Sequence, residues 1–133
     1  MAAMEWAKEE NVMDRSRKAR LEAAGVRVEE ALERFLDNEE LMLRFMLRLP
    51  GDPNFPALCQ AMAAGDREAA FQAAHALKGV AGNLAMGELY RLTSQVVEAL
   101  RGGDLAAAQG LMGELEAQWA RTTQGLAALA GDR

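Results

Sequence analysis

The chain has a single histidine, His75, within the run Ala73-Ala74-His75-Ala76-Leu77-Lys78-Gly79-Val80-Ala81-Gly82-Asn83-Leu84. At about 100° per residue, Ala70, Ala73, Leu77, Val80, Ala81 and Leu84 gather on one side of a helix. His75 points almost directly away from them. Lys78 follows it by three residues, Gly79 by four and Gly82 by seven, and Glu68 precedes it by seven. Such spacings stack along one stripe of a helix. The imidazole is therefore predicted to face solvent beside a cation, on a strip where two side chains are missing. Interior helix glycines cost up to about 1 kcal/mol each relative to alanine, so both call for a reason.

An uncharged imidazole carries a free nitrogen lone pair, and imidazole ordinarily titrates at about 6.5. Near neutrality an exposed histidine is thus a competent nucleophile toward an activated phosphoryl group. The product would bring close to two negative charges onto an already acidic protein. Lys78 is placed to steady that charge. Gly79 and Gly82 remove bulk, so that a large partner could bring its own reactive group close. A convex helix face suits reaction between two macromolecules better than capture of a small molecule, which needs a concavity.

Other chemistry is missing from the sequence. No G-x-x-x-x-G-K-[ST] phosphate loop, no G-x-G-x-x-G after a strand and no metal-ligand cluster is present. Ser16 and Ser94 do not lie in a nucleophile-elbow context. The chain should pass phosphoryl groups rather than generate them, without an ATP site, a metal or a cofactor of its own. Two other readings remain: a helical adaptor bundle that binds a partner without phosphorylation, and a haem-binding bundle using His75 and a methionine. The second needs the histidine inside the bundle, against its helical phase.

The elements that must hold this strip read as helices. Residues 1 to about 20 are charge-rich with weak periodicity and read as a frayed helix, a tail or a linker. Val28, Leu32, Phe35 and Leu36 suggest a short amphipathic helix after Gly25. Asp37 or Asn38 can cap the next, whose stripe is Leu41, Met42, Phe45, Met46 and Leu49. Pro50-Gly51-Asp52-Pro53 is a turn, and a helix resumes from about Asn54 to Ala64. Gly65-Asp66 supplies a stop and a start, and Gly103-Asp104 repeats the device. Between them lie the histidine helix, about Asp66 to Leu84, and a helix from about Gly87 to Arg101. The last helix spaces Leu105, Ala108, Met112, Leu115, Trp119, Thr122, Leu126 and Leu129 by threes and fours. Short connections imply antiparallel neighbours. The expected fold is all-α: an up-down four-helix bundle over residues 21–130, with one or two short additional helices near its N-terminus.

Composition agrees. Of 133 residues, 50% are apolar but only 5% aromatic, with three prolines, which favours helix over sheet. A net charge of −5 and a pI near 4.9 argue against a nucleic-acid partner. No run approaches the roughly 20 apolar residues of a membrane span, and no secretory signal is evident. The lone Cys59 reads as a small buried hydrophobe, and its inability to form an internal disulfide suits a reducing cytoplasm. Met42, Met46, Met62, Met112 and Trp119 read as core filler.

The segment from Ala74 to Leu84 resembles the signature of histidine-containing phosphotransfer (HPt) domains of multistep phosphorelays. The family pattern is roughly A-H-x-L-K-G-x-A-x-x-L-G, followed by a helix bearing L-x-x-L, which Leu89-Tyr90-Arg91-Leu92 fits. The likeness extends over about residues 25 to 130, with its specific part in 74 to 92. It implies that His75 accepts and donates the phosphoryl group, that Lys78 is the cation beside it and that Gly79 gives a receiver domain access. Phe71 and Asn83 are candidate docking residues. The implied partners are response-regulator receiver domains and a hybrid sensor kinase, with Mg2+ held by the receiver and this chain monomeric. Ala85 departs from the family's usual glycine. Alanine is easily helical, so a slightly altered helix end is expected there.

Overall fold

The structure is a computed structural model, which describes residues 13–131. Helix α1 spans Arg15–Ala23, α2 Val28–Arg34, α3 Glu39–Met46, α4 Asn54–Ala64, α5 Arg67–Asn83, α6 Gly87–Arg101 and α7 Leu105–Gly131. A single 3-10 turn, Leu49–Gly51, stands between α3 and α4. The described residues are all-helical, apart from one isolated bridge pairing Val26 with Met86.

Local chemistry accounts for the helix ends. Asp66 precedes α5 in extended backbone and its carboxylate accepts from the Ala69 N–H at 3.1 Å. The Asp104 carboxylate likewise accepts from the Ala107 N–H at 2.9 Å, and the Asn38 amide oxygen from the Leu41 N–H at 3.0 Å. Each satisfies an N–H that has no partner within its own helix. Gly65 and Gly103 stand before two of these caps at φ +69 and +79, the left-handed conformation that glycine adopts without steric cost. The first helix is more than the sequence decided. Asp14 caps α1 by accepting from Ser16 N at 2.7 Å and Arg17 N at 3.2 Å, and Leu21 is fully buried. A boundary between residues 20 and 21 therefore falls inside a helix, while the expectation for residues 1–12 lies outside the described residues.

Successive long helices pack on one another: α4 on α5, α5 on α6 and α6 on α7, with α1 also against α7. Phe55 of α4 stacks on Trp119 of α7, ring centroids 4.6 Å apart. The buried side of α5 is nearly all alanine: Ala70, Ala73, Ala74 and Ala81 surround Leu77. Small side chains let α4 and α6 approach closely, and Leu77, with no exposure, contributes roughly 2–3 kcal/mol of burial. Met42, Met46, Met62 and Met112 all lie in the core. Cys59 and Trp119 are only half-buried and pack against its edge. Burial first, and the Glu116 carboxylate second, raise the Cys59 thiol above its ordinary pKa. Among the described residues, no helix is long and apolar enough to cross a membrane.

Candidate functional site

Helix α5 carries the site. Ala70, Ala73, Leu77, Ala81 and Leu84 are buried as their spacing requires, Val80 is half-buried, and His75 is exposed on the other side. Ala74, next to the histidine, is also buried without remainder, so the apolar face wraps further around α5 than the expected stripe. From His75 onward the exposed strip is His75, Ala76, Gly79 and Asn83, with Lys78 and Gly82 along its margin, and Glu68 and Gln72 extend it toward the start of α5.

The margins differ. Toward the N-terminal end of α5, the Phe71 ring meets the His75 imidazole, centroids 5.9 Å apart and planes inclined at 34°. Phe71 is half-buried against the core, so it covers the seam to α6 and touches the imidazole as well. The Arg101 guanidinium, from the end of α6, lies 5.7 Å from the Phe71 centroid. Toward the C-terminal end, the Lys78 ammonium sits 5.8 Å from the centroid of Tyr90 on α6. This is a cation–π distance, and it holds the ammonium at the α6 side of the strip.

The two glycines also differ. At Gly79 a Cβ would meet nothing within 4 Å, so the glycine leaves open surface one turn beyond His75. At Gly82 a Cβ would stand 3.2 Å from two carbons of the Tyr90 ring. Gly82 thus has a packing reason of its own, although it does not face the core. Its carbonyl also accepts from the Arg34 guanidinium, whose other nitrogen reaches Glu30 at 3.1 Å. An open groove of about 800 Å³ runs past this point, lined by Arg27, Arg34, Gly82, Tyr90, Arg91 and Ser94 among others. The convex face expected from the sequence therefore holds at His75 and gives way to a groove two turns later. Asn83 is exposed beside that groove as the last residue of α5.

The helix end after Asn83 corrects an expectation. Ala85 is not helical: its φ is +55. Its N–H donates to Gly82 O at 3.1 Å and the Met86 N–H to Ala81 O at 2.9 Å, the paired bonds of a Schellman end. The turn that glycine normally makes is made by alanine. The surroundings enforce it, because the Arg27 N–H donates to Ala85 O at 2.8 Å and the Gly87 N–H to Gly25 O at 3.0 Å. Two chain reversals, α1–α2 and α5–α6, are thereby laced together by backbone.

Sequence reasoning missed Tyr90, Arg34 and Arg101 as neighbours of the strip. Tyr90 could have been suspected, because it adjoins Leu89 on an otherwise amphipathic helix. Arg34, 48 residues from Gly82, gave no signal. No group of three or more His, Cys, Asp or Glu residues that could hold a metal occurs among the described residues.

Comparison with protein families matches residues 50–125 to the Hpt domain, which covers α4 through most of α7 and more than half of the chain. No curated protein and no solved structure matches. A match of this extent, over all-helical packing that carries a lone histidine on an exposed helix face, shows that the chain belongs to the Hpt domain family of two-component phosphorelays.

Proposed function

We propose that His75 is the phosphoryl carrier of a phosphorelay, taking the group from an aspartyl phosphate on one receiver domain and passing it to the aspartate of another. One observation carries the reading: the family works through a histidine, and this chain has only one, exposed in the middle of α5. A ring nitrogen attacks phosphorus, the N–P bond forms and the P–O bond to the aspartate breaks. The carboxylate leaves as an anion, and the other ring nitrogen keeps its proton. Transfer onward is the reverse reaction at a second carboxylate.

The remaining roles follow from position. Gly79, with open space beside it, admits the partner. Lys78 lies within a turn of the imidazole and can leave the Tyr90 face for the phosphoryl oxygens. Phe71, Gly82 and Asn83 border the contact surface. Mg2+ and the acidic residues that hold it belong to the receiver in this reading. No kinase site is assigned to this chain, a hybrid sensor kinase is the upstream source, and the protein works as a cytoplasmic monomer. Helices α4 to α7 serve as an antiparallel up-down bundle, with α1 to α3 as a short layer across it.

Incubation with a radiolabelled, phosphorylated receiver domain tests this. Wild type should acquire an acid-labile, base-stable label. His75→Gln, folded by circular dichroism, should acquire none. Label that persists in the variant overturns the assignment. Wild type that binds receivers yet never takes label would instead make the bundle an adaptor.

A further inference from the structure

We propose that Tyr90 is a positioning residue that sets the balance of phosphoryl transfer: its ring face holds the Lys78 ammonium while His75 is free, and gives it up when His75 is phosphorylated. The inference rests on His75 being the carrier and Lys78 its cation, as argued above.

Lys78 stands between two places along α5. His75 is three residues before it, and Gly82, where the Tyr90 ring packs, is four residues after it. At 1.5 Å per residue these positions are about 10 Å apart along the helix axis. The ammonium rests at the second of them, 5.8 Å from the Tyr90 centroid. Among the described residues no carboxylate pairs with Lys78, so the ring face is its resting contact.

The ring is placed for this contact. Its backbone is fixed at the start of α6, where the Tyr90 N–H donates to Met86 O at 2.8 Å. Two of its carbons lie 3.2 Å from where a Cβ on Gly82 would stand, so the missing side chain is the space into which the ring leans. The ring is also 43% exposed. At so open a site a cation–π contact is modest. A phosphoryl group on His75, with about two negative charges and three acceptor oxygens, outmatches it.

The consequence is thermodynamic. An interaction present in only one of two states shifts the equilibrium between them by its own strength. The ring contact exists in the free protein and is lost in the phosphorylated one. It therefore favours the free histidine and helps send the phosphoryl group onward. No bond made or broken in the transfer itself changes.

The full chain, at equilibrium with a receiver domain that labels it, provides the test. The constant for transfer compares the free proteins only, so altered docking cannot move it. Tyr90→Leu should shift it about two- to fivefold toward phosphohistidine. Tyr90→Phe, which keeps a ring face, should leave it near wild type. In a Lys78→Met background, Tyr90→Leu should change nothing, because the ammonium that the ring held is gone. In wild type alone, the Lys78 ε-methylene proton resonances, displaced upfield by the ring, should return toward their ordinary position on phosphorylation by phosphoramidate. An unchanged constant in Tyr90→Leu would overturn the proposal, as would an equal shift in Tyr90→Phe or one that persists without the ammonium. Lysine resonances that keep their displacement after phosphorylation would do the same. Wild type that takes no phosphoryl group from a receiver or from phosphoramidate would overturn the carrier reading itself, and this proposal with it.

Discussion

The two flanks of His75 are built in opposite ways. On the C-terminal flank, backbone and packing fix nearly everything. Gly82 lies against Tyr90, its carbonyl is held by Arg34, and the chain reversal beyond it is bonded to a second reversal through Ala85, Gly87, Arg27 and Gly25. On the N-terminal flank, one half-buried ring and one exposed guanidinium do the work. The first flank sets where α5 ends and how it lies on α6. The second is held only by side-chain contacts at the surface.

The largest effect that would sharpen this contrast is at Ala85. Left-handed backbone costs an L-residue roughly 1–2 kcal/mol, and glycine recovers part of this after its own entropy cost of about 0.5–1 kcal/mol. Ala85→Gly should therefore stabilise the fold by about 1 kcal/mol, read as a higher urea midpoint. A lower midpoint would mean that the laced corner does not impose this conformation.

The glycines should then separate. Gly79→Ala has open space and should gain about 0.5–1 kcal/mol from helix propensity. It should also slow label transfer from a receiver while leaving labelling by phosphoramidate intact. Gly82→Ala should show no comparable gain, because Tyr90 must shift by a few tenths of an ångström to admit the methyl. Equal gains at the two positions would break the distinction between the flanks.

The smallest effect is electrostatic. The hydrogen bond from Arg91 is the main cause holding the Glu88 carboxyl below its ordinary pKa. Desolvation, the next largest influence, opposes it, and the smaller effects of the Arg91, Arg27 and Arg121 charges add to it. A carboxyl depressed in the folded state contributes stability above its unfolded pKa, and that contribution is lost as pH falls through the folded value. Arg91→Ala should raise the Glu88 titration toward the ordinary value, measured by carbon NMR, with hardly any change in the unfolding midpoint, since both groups are solvated. A clear loss of stability at neutral pH would show that this flank draws on the pair as well as on packing.

Much of this was legible in the sequence because it depends on period and caps alone. The exposure of His75 follows from the phase of Ala70, Leu77 and Ala81, and the starts of α5 and α7 follow from Asp66 and Asp104. What escaped depends on residues far apart in the chain. Ala85 gave no sign of left-handed backbone, because the bonds that impose it come from Gly25 and Arg27. The direction of Lys78 is set by Tyr90, on another helix. Residues 15–20 lacked periodicity, so α1 rests on its Asp14 cap and on Leu21 packing into a core that the segment itself does not display.

Thr122 joins the ends of this fold. Its hydroxyl donates to Ala24 O at 2.7 Å across 98 residues and accepts from the Gln118 amide at 3.1 Å, with all of these groups buried. During synthesis the carbonyl that ends α1 has no such donor until the last helix leaves the ribosome. The reversal that follows α1 can lace to the α5–α6 corner before that, so the end of α1 is secured in two stages, first by backbone and last by the Thr122 hydroxyl.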